Sequence, residues 1–419
     1  MLINSNGNNI IKDKSYNKKL EVYEMIYDEN MYVIIGNGPA GYYAADTIRK
    51  NDEEASIHII SEDKLLTYFR PQLSKFIGFP IDESKFLLSP ESWYKEKNIK
   101  VTLNTKVKKI NPAQKLILLG DGTIVSYKKL ILANGSHAFV PPVPGNDKEN
   151  VFSLKSVSDA EAIKKQIPES KNAVVIGGGL LGLEAAWSLL NAGLNVTVLD
   201  RSGGLLSKQL DEEGAKIFSG LVDKSGVKVI LNATTEEILG DKKVTGVRLA
   251  GGQVVEADLV LFSSGVRPNK ELAELSGIEV DKGVKVDDRM QTSAADVYAC
   301  GDVAEFSGKV YGNWPAAMSM GKVAGANAFG TEMQFREFVP SFSFDAMNIK
   351  LFSCGSFTEE NRNIARRDPE TGGYMKLYFD DKKIVGGFLI GDTKRAPEVL
   401  NSVKAGLGYD EVVEKFGLK

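Results

Sequence analysis

The pattern G-x-G-x-x-G, entered from a short apolar run and left through a helix-forming stretch, occurs twice in this chain. The first copy is Met31-Tyr-Val-Ile-Ile-Gly36-Asn-Gly38-Pro39-Ala40-Gly41, with a helical stretch to about Lys50 and a second strand-like run, Ser56 to Ile60, ending at Ser61-Glu62. The second is Asn172-Ala-Val-Val-Ile-Gly177-Gly-Gly179-Leu180-Leu181-Gly182, followed by an alanine- and leucine-rich helix to Ala192 and a run Asn195 to Leu199 that closes on Asp200. Short apolar runs bounded by glycine read as buried strands, so each copy is a βαβ unit.

Each position has a physical reason. Gly36 and Gly177 permit the tight turn, Gly38 and Gly179 let the backbone approach a pyrophosphate, and Gly41 and Gly182 let the helix pack against the strand. The helix N-terminus, carrying Pro39 and Ala40 in one copy and Leu180 and Leu181 in the other, offers free N–H groups and a positive dipole end to phosphates. Glu62 and Asp200 are placed to accept from ribose hydroxyls. A lone pattern of this kind can be an accidental glycine-rich turn; two in full strand-turn-helix-strand-acid context imply two nucleotide sites. Asp200 would repel a 2′-phosphate and favours NAD, whereas the adjacent Arg201 could accommodate one, so NADP(H) stays open.

At 419 residues, 43% hydrophobic and 26% charged, the chain is expected to form several cores in about two to four domains. A net charge of -3 gives no general attraction for nucleic acid or anionic membranes. No segment approaches the roughly 18 consecutive apolar residues a membrane span needs, and a cytoplasmic location is expected. Cys300 and Cys354 are the only cysteines and lie outside any CxxC spacing, which excludes a disulfide scaffold and leaves little room for dithiol chemistry. Both read as buried structural thiols. With only His58 and His137 beside them, no metal site is expected, and neither histidine is assigned a catalytic role. Residues 1–30 are rich in Asn, Lys and Tyr and lack the apolar core of a signal peptide. They read as a flexible extension, with a small docking arm or an overextended start ahead of Met31 as the other readings.

Three further motifs join the two turns: Lys129-Leu-Ile-Leu-Ala133-Asn134-Gly135-Ser136, Asp258-Leu-Val-Leu-Phe-Ser-Ser-Gly265-Val-Arg267-Pro-Asn269, and Ala295-Asp-Val-Tyr-Ala-Cys300-Gly301-Asp302. Together they resemble the two-dinucleotide flavoproteins of the glutathione reductase fold, over about Met31 to Lys419. The first two motifs look like the crossings between FAD and NAD domains, with Asn134 in place of the usual threonine. The third is similar to the segment whose aspartate bonds the ribityl chain of FAD, a role that would fall to Asp302. Thr67-Tyr-Phe-Arg70-Pro71-Gln-Leu-Ser74-Lys75 resembles the NADH:rubredoxin oxidoreductase-like and nitrite-reductase-large-subunit-like branch. Thiol-using relatives carry a redox cysteine in that segment; here there is none.

The resemblance implies an α/β fold of two Rossmann-like dinucleotide-binding domains plus a small C-terminal α+β domain. The FAD domain takes 31–145 and 263–335, the NAD(P) domain 146–262 is inserted in it, and 336–419 form the last domain, the dimer interface in many members. Tyr374 to Ile390 contributes two alternating runs joined by a polar turn, a hairpin. Arg70, Pro71 and Lys75 are implied beside the flavin, with Lys75 paired to Glu184 on the NAD helix as the catalytic pair; two solvated helix charges are the plain alternative. Val107, Ala133, Gly135, Gly265, Gly301 and Trp314 complete the implied cofactor contacts, although core packing explains the Trp nearly as well.

The implied chemistry is hydride transfer from NADH to FAD and then electron release to a rubredoxin- or ferredoxin-type carrier. Arg362, Arg366, Arg367, Lys394 and Arg395 could steer an acidic carrier, or simply form a solvated charged face. A thiol-independent NADH oxidase or diaphorase, a reductase component of a nitrite-reducing assembly, and a redox-sensing flavin-binding interaction protein remain as alternatives.

Overall fold

A computed structural model describes residues 25–28, 30–80, 86–336, 339–369 and 371–418, with two short strands at Leu2–Ile3 and Asn9–Ile10. The chain divides into two compact units. One comprises Met1–Phe69, Asp82–His137 and Val266–Glu337; the other comprises Arg70–Ile81, Ala138–Gly265 and Phe338–Lys419.

In the first unit five parallel strands lie in the order Val297–Ala299, Lys129–Leu132, Tyr32–Ile35, Ile57–Ile60, Ile99–Thr102. Every residue of Tyr32–Ile35 and of Ile57–Ile60 is buried, as in a parallel sheet covered on both faces, so apolar residues fill both strands apart from His58. Helix Pro39–Asn51 packs against helix Trp314–Phe329, and small residues permit the close crossing: a Cβ on Gly321 would lie 2.3 Å from the Ala40 carbonyl oxygen. A smaller sheet of Val107–Asn111, Leu116–Leu119 and Ile124–Ser126 takes Met25–Ile26 as a parallel edge strand. That part of the expected flexible extension is therefore held in a sheet; most of 1–24 lies outside the described residues.

The second unit repeats the plan, with parallel strands in the order Val151–Ser153, Leu259–Phe262, Asn172–Ile176, Asn195–Leu199, Lys228–Ile230. In both sheets the strand order reverses beside the strand that feeds a glycine turn. Parallel α/β sheets bind ligands at such a reversal, beyond the carboxyl ends of the strands.

The same unit contains an antiparallel sheet in the order Ser341–Ala346, Ile349–Gly355, Lys383–Ile390, Tyr374–Asp380, Arg362–Arg367. The hairpin expected from the alternating runs is present, turning through Asp381 and Lys382. Helices Ala396–Ala405 and Tyr409–Phe416 cover one face through Val399, Val412 and Phe416, which pack on Phe352, Leu377 and Phe379.

Candidate functional site

The two glycine turns are built alike. Gly36 has φ +108° and a Cβ there would sit 2.2 Å from the Ala133 carbonyl oxygen; Gly177 has φ +121° and would meet the Ser263 carbonyl oxygen at 2.3 Å. Either substitution is blocked by conformation and by space together. At Gly41 and Gly182 an added Cβ would lie 2.0 Å from the carbonyl oxygens of Gly36 and Gly177. Gly38 and Gly179 differ from all of these: a Cβ there meets nothing within 4 Å. Each is also the N-cap of its helix, Pro39–Asn51 or Leu180–Asn191, with no side chain capping it. The first N–H groups of both helices thus have no side-chain acceptor at the cap.

Around the first turn, Asn134 and Asn269 bond each other reciprocally: Asn134 Nδ2 donates to Asn269 O at 2.8 Å and Asn269 Nδ2 to Asn134 O at 2.7 Å. The Asn269 N–H also donates to Gly135 O, and its Oδ1 meets His137 Nδ1 at 2.7 Å. Ser136 Oγ donates to Asp302 Oδ2 at 2.7 Å, fixing one carboxylate oxygen of the residue after Gly301. Ala133 and Val107 are buried. The rings of Phe69 and Trp314 meet edge to face at 4.9 Å, and Asn313 caps the Trp314 helix through the Ala316 N–H. Glu62 is exposed and faces Lys106 at 3.5 Å.

Around the second turn, Asp200 accepts from the Gly178 N–H at 2.6 Å and from the Ser202 N–H at 2.7 Å, one on each carboxylate oxygen. Arg201 is exposed, as is Leu181. The short helix Leu73–Gly78 packs on helix Leu180–Asn191, so close that a Cβ on Gly78 would lie 2.0 Å from Ser188 O. Arg70, Pro71 and Lys75, read from the sequence with the first half of the chain, therefore belong to the second unit by packing. Arg70 Nη1 donates to Lys155 O at 2.9 Å. Glu184 accepts its hydrogen bond from Ser74 Oγ at 2.9 Å, not from Lys75, which is exposed and acts on it through charge alone. Burial pushes the Glu184 carboxyl up; Ser74 and Lys75 pull it back and Asp345 adds to the rise, leaving it above its ordinary value. Sequence reasoning passed over Ser74, although its place on the buried stripe Leu73, Ser74, Ile77 marks a polar group that needs a partner.

Cys300 and Cys354 are both free and buried, and burial pushes each thiol up to about 12. His58 is buried with Nε2 2.8 Å from Thr102 Oγ1, and burial, with Lys100, lowers it to about 4. Of the C-terminal cations, Arg362 lies over the Tyr409 ring at 3.5 Å, Arg366 donates to Gly417 O, and Arg395 bonds Glu398 and the carbonyls of Lys415 and Phe416. These three fasten the last helix; Arg362 and Arg366 remain exposed and keep their charge at the surface.

Residues 30–321 match the family described as pyridine nucleotide-disulphide oxidoreductase. The chain belongs to that family. Residues 340–407 match the rubredoxin NAD+ reductase C-terminal domain. Among similar proteins, a nitrite reductase [NAD(P)H] of Bacillus subtilis is 35% identical over 376 residues, covering 89% of this chain and 47% of the relative, so the chain spans about half of that protein's length. An NADH-rubredoxin oxidoreductase of Clostridium acetobutylicum is 32% identical, covering 91% of this chain and 96% of the relative. The crystal structure of the NADH:rubredoxin oxidoreductase of that organism superposes with a TM-score of 0.77 at 30% identity, over 91% and 96% of the two chains. The family's two resident dinucleotides, FAD and NAD(H), fit the residues present: open space where Gly38 and Gly179 lack a Cβ, uncapped helix starts beside it, and an acid at the end of the second strand. Among the described residues no helix is long and apolar enough to cross a membrane.

Proposed function

We propose that this pyridine nucleotide-disulphide oxidoreductase takes hydride from NADH and passes electrons to a small redox protein of rubredoxin or ferredoxin type. The observation that carries the reading is the pair of matching glycine turns, each open where a pyrophosphate would lie. Residues 31–145 and 263–335 would hold FAD, 146–262 NAD(H), and 336–419 the rubredoxin-reductase-type C-terminal fold.

Bound FAD supplies the conversion of a two-electron donor into single electrons. The chain's own residues do the placing. Gly38 and the start of helix Pro39–Asn51 would bind the FAD pyrophosphate, with Asp302, held by Ser136, oriented toward the ribityl hydroxyls. Gly179 and Asp200 would do the same for the nicotinamide dinucleotide, and Glu184, held by Ser74, would position its reactive end. Buried free thiols support an outlet other than a dithiol.

Match to half of a nitrite reductase supports a second reading, an electron-delivering component of a nitrite-reducing assembly. One experiment separates them. The NADH-reduced protein is mixed anaerobically with oxidised rubredoxin, ferredoxin, or nitrite with a siroheme partner. Reoxidation by a rubredoxin or ferredoxin at a rate matching turnover supports the first reading; reoxidation by the siroheme partner alone supports the second.

A further inference from the structure

We propose that Thr67 is a positioning residue for the first dinucleotide, acting through a buried hydrogen-bond relay onto the glycine turn. Asn37 stands between Gly36 and Gly38, and its side chain is buried rather than turned to solvent. Its Oδ1 accepts from Thr67 Oγ1 at 2.6 Å, while its Nδ2 donates to Leu65 O at 3.4 Å. Thr67, 0% exposed, accepts in turn from the Tyr94 O–H at 2.9 Å.

The donor order is fixed. A threonine hydroxyl has one proton, and because the Tyr94 phenol spends its own on Thr67, the Thr67 proton goes to Asn37. Burial pushes Tyr94 up to about 12, so the phenol stays a donor through the neutral range. Tyr94 is wedged in place: its ring meets Trp93 edge to face at 4.9 Å and Tyr42, in the first turns of the glycine-turn helix, at 6.1 Å. The Leu88 N–H fixes the Thr67 carbonyl at 2.8 Å. The relay therefore starts from a rigid aromatic cluster and ends on the residue whose backbone lies between the two glycines.

The second turn shows what the relay replaces. There the residue between the glycines is Gly178, and Asp200, at the end of the neighbouring strand, holds its N–H directly. Glu62, the matching acid after the first unit's neighbouring strand, is exposed and turned to Lys106. Thr67, a few residues further along the same connection, holds the turn instead. Removing its hydroxyl would leave the buried Asn37 amide oxygen and the Tyr94 O–H without their partner, and the turn free to shift where the pyrophosphate must be met.

The proposal rests on FAD occupying the first turn. Its test is FAD affinity of the full-length apoprotein, read by quenching of flavin fluorescence, for wild type, T67V, T67S, N37A and the T67V/N37A pair. The expected result is binding weakened about tenfold or more in T67V, T67S within about threefold of wild type, and a double variant no worse than N37A alone. NAD+ affinity at the second turn stays at the wild-type value throughout. Wild-type FAD affinity in a folded T67V, or a T67S loss equal to that of T67V, overturns the relay. If T67V does not fold, Y94F takes its place: a loss of about threefold or more supports the relay, and unchanged binding overturns it. A wild-type protein that takes up no FAD overturns the functional reading and the relay together; a wild type that binds FAD as tightly as T67V does overturns the relay alone.

Discussion

The buried Ser74 hydroxyl donates to Glu184 Oε2 at 2.9 Å, tying the short helix Leu73–Gly78 to the helix that begins at the second glycine turn. Glu184 is thus a partly desolvated carboxyl with a neutral partner, a distant cation in Lys75 and a like charge in Asp345, and its pKa is raised. A carboxyl raised on folding favours the folded state most below its unfolded pKa of about 4.3 and loses that contribution as pH climbs through the folded value. E184Q cannot ionise and escapes the loss. Urea unfolding of the apoprotein is expected to find E184Q more stable than wild type at pH 8, with the advantage shrinking toward pH 5. An offset that does not change with pH would contradict this assignment.

Asp200 spends both carboxylate oxygens on backbone N–H groups, so it shapes the second turn in addition to the ribose contact proposed for it. Replacing it is expected to cost affinity for either dinucleotide. D200A should raise the KM for NADH about tenfold or more without a matching gain for NADPH, because the loss of turn geometry outweighs the removed repulsion. Steady-state kinetics with both donors decide the point, and an efficient NADPH enzyme made by D200A alone would show that the acid acts only on the ribose.

Arg49 is 6% exposed and pairs with no carboxylate among the described residues; its guanidinium donates to the carbonyls of Asp52, Glu53, Ala55, Lys97 and Asn98. It closes the end of the first glycine-turn helix and binds two loops to it. Lysine cannot reproduce the fork. R49K is expected to lower stability by about 2 kcal/mol or more in urea titration, and a change under about 0.5 kcal/mol would mean that water replaces these bonds without cost.

Cys300 and Cys354 are expected to stay inert. Ellman's reagent should label neither in the native protein and both in urea, and a C300S/C354S variant should keep its rate of flavin reduction by NADH. Rapid native labelling of either would reopen thiol chemistry.

How much of this was legible in the residues depends on how local each signal is. Strand, turn and helix at Tyr32–Gly41 and Asn172–Gly182 are written in apolar runs and glycine spacing, and the Tyr374–Ile390 hairpin in two apolar-rich runs joined by a polar turn. Burial of Cys300 and Cys354 was legible in the apolar runs around them. The segment 70–81 was harder: its buried stripe of Leu73, Ser74 and Ile77 announces burial but not against which core, and only the contact with helix Leu180–Asn191 decides that. Arg49 and Thr67 gave no signal at all, since a charge near a helix end and a threonine in a loop are ordinary until distant carbonyls or a phenol arrive beside them. The C-terminal cations could be read as steering an acidic carrier or as a solvated charged face; that Arg362, Arg366 and Arg395 also hold the last helix was not legible, because their partners lie far along the chain.

Two dinucleotide sites in one chain that exchange a hydride are the core of the proposal. Its most direct measurement is anaerobic stopped-flow mixing of the FAD-loaded protein with NADH, followed at the flavin absorbance near 450 nm (about that wavelength for any protein-bound flavin). The expected result is rapid, complete bleaching by one equivalent of NADH and slower bleaching by NADPH. A protein that binds no FAD, or one whose bound flavin stays oxidised with either donor, would contradict it.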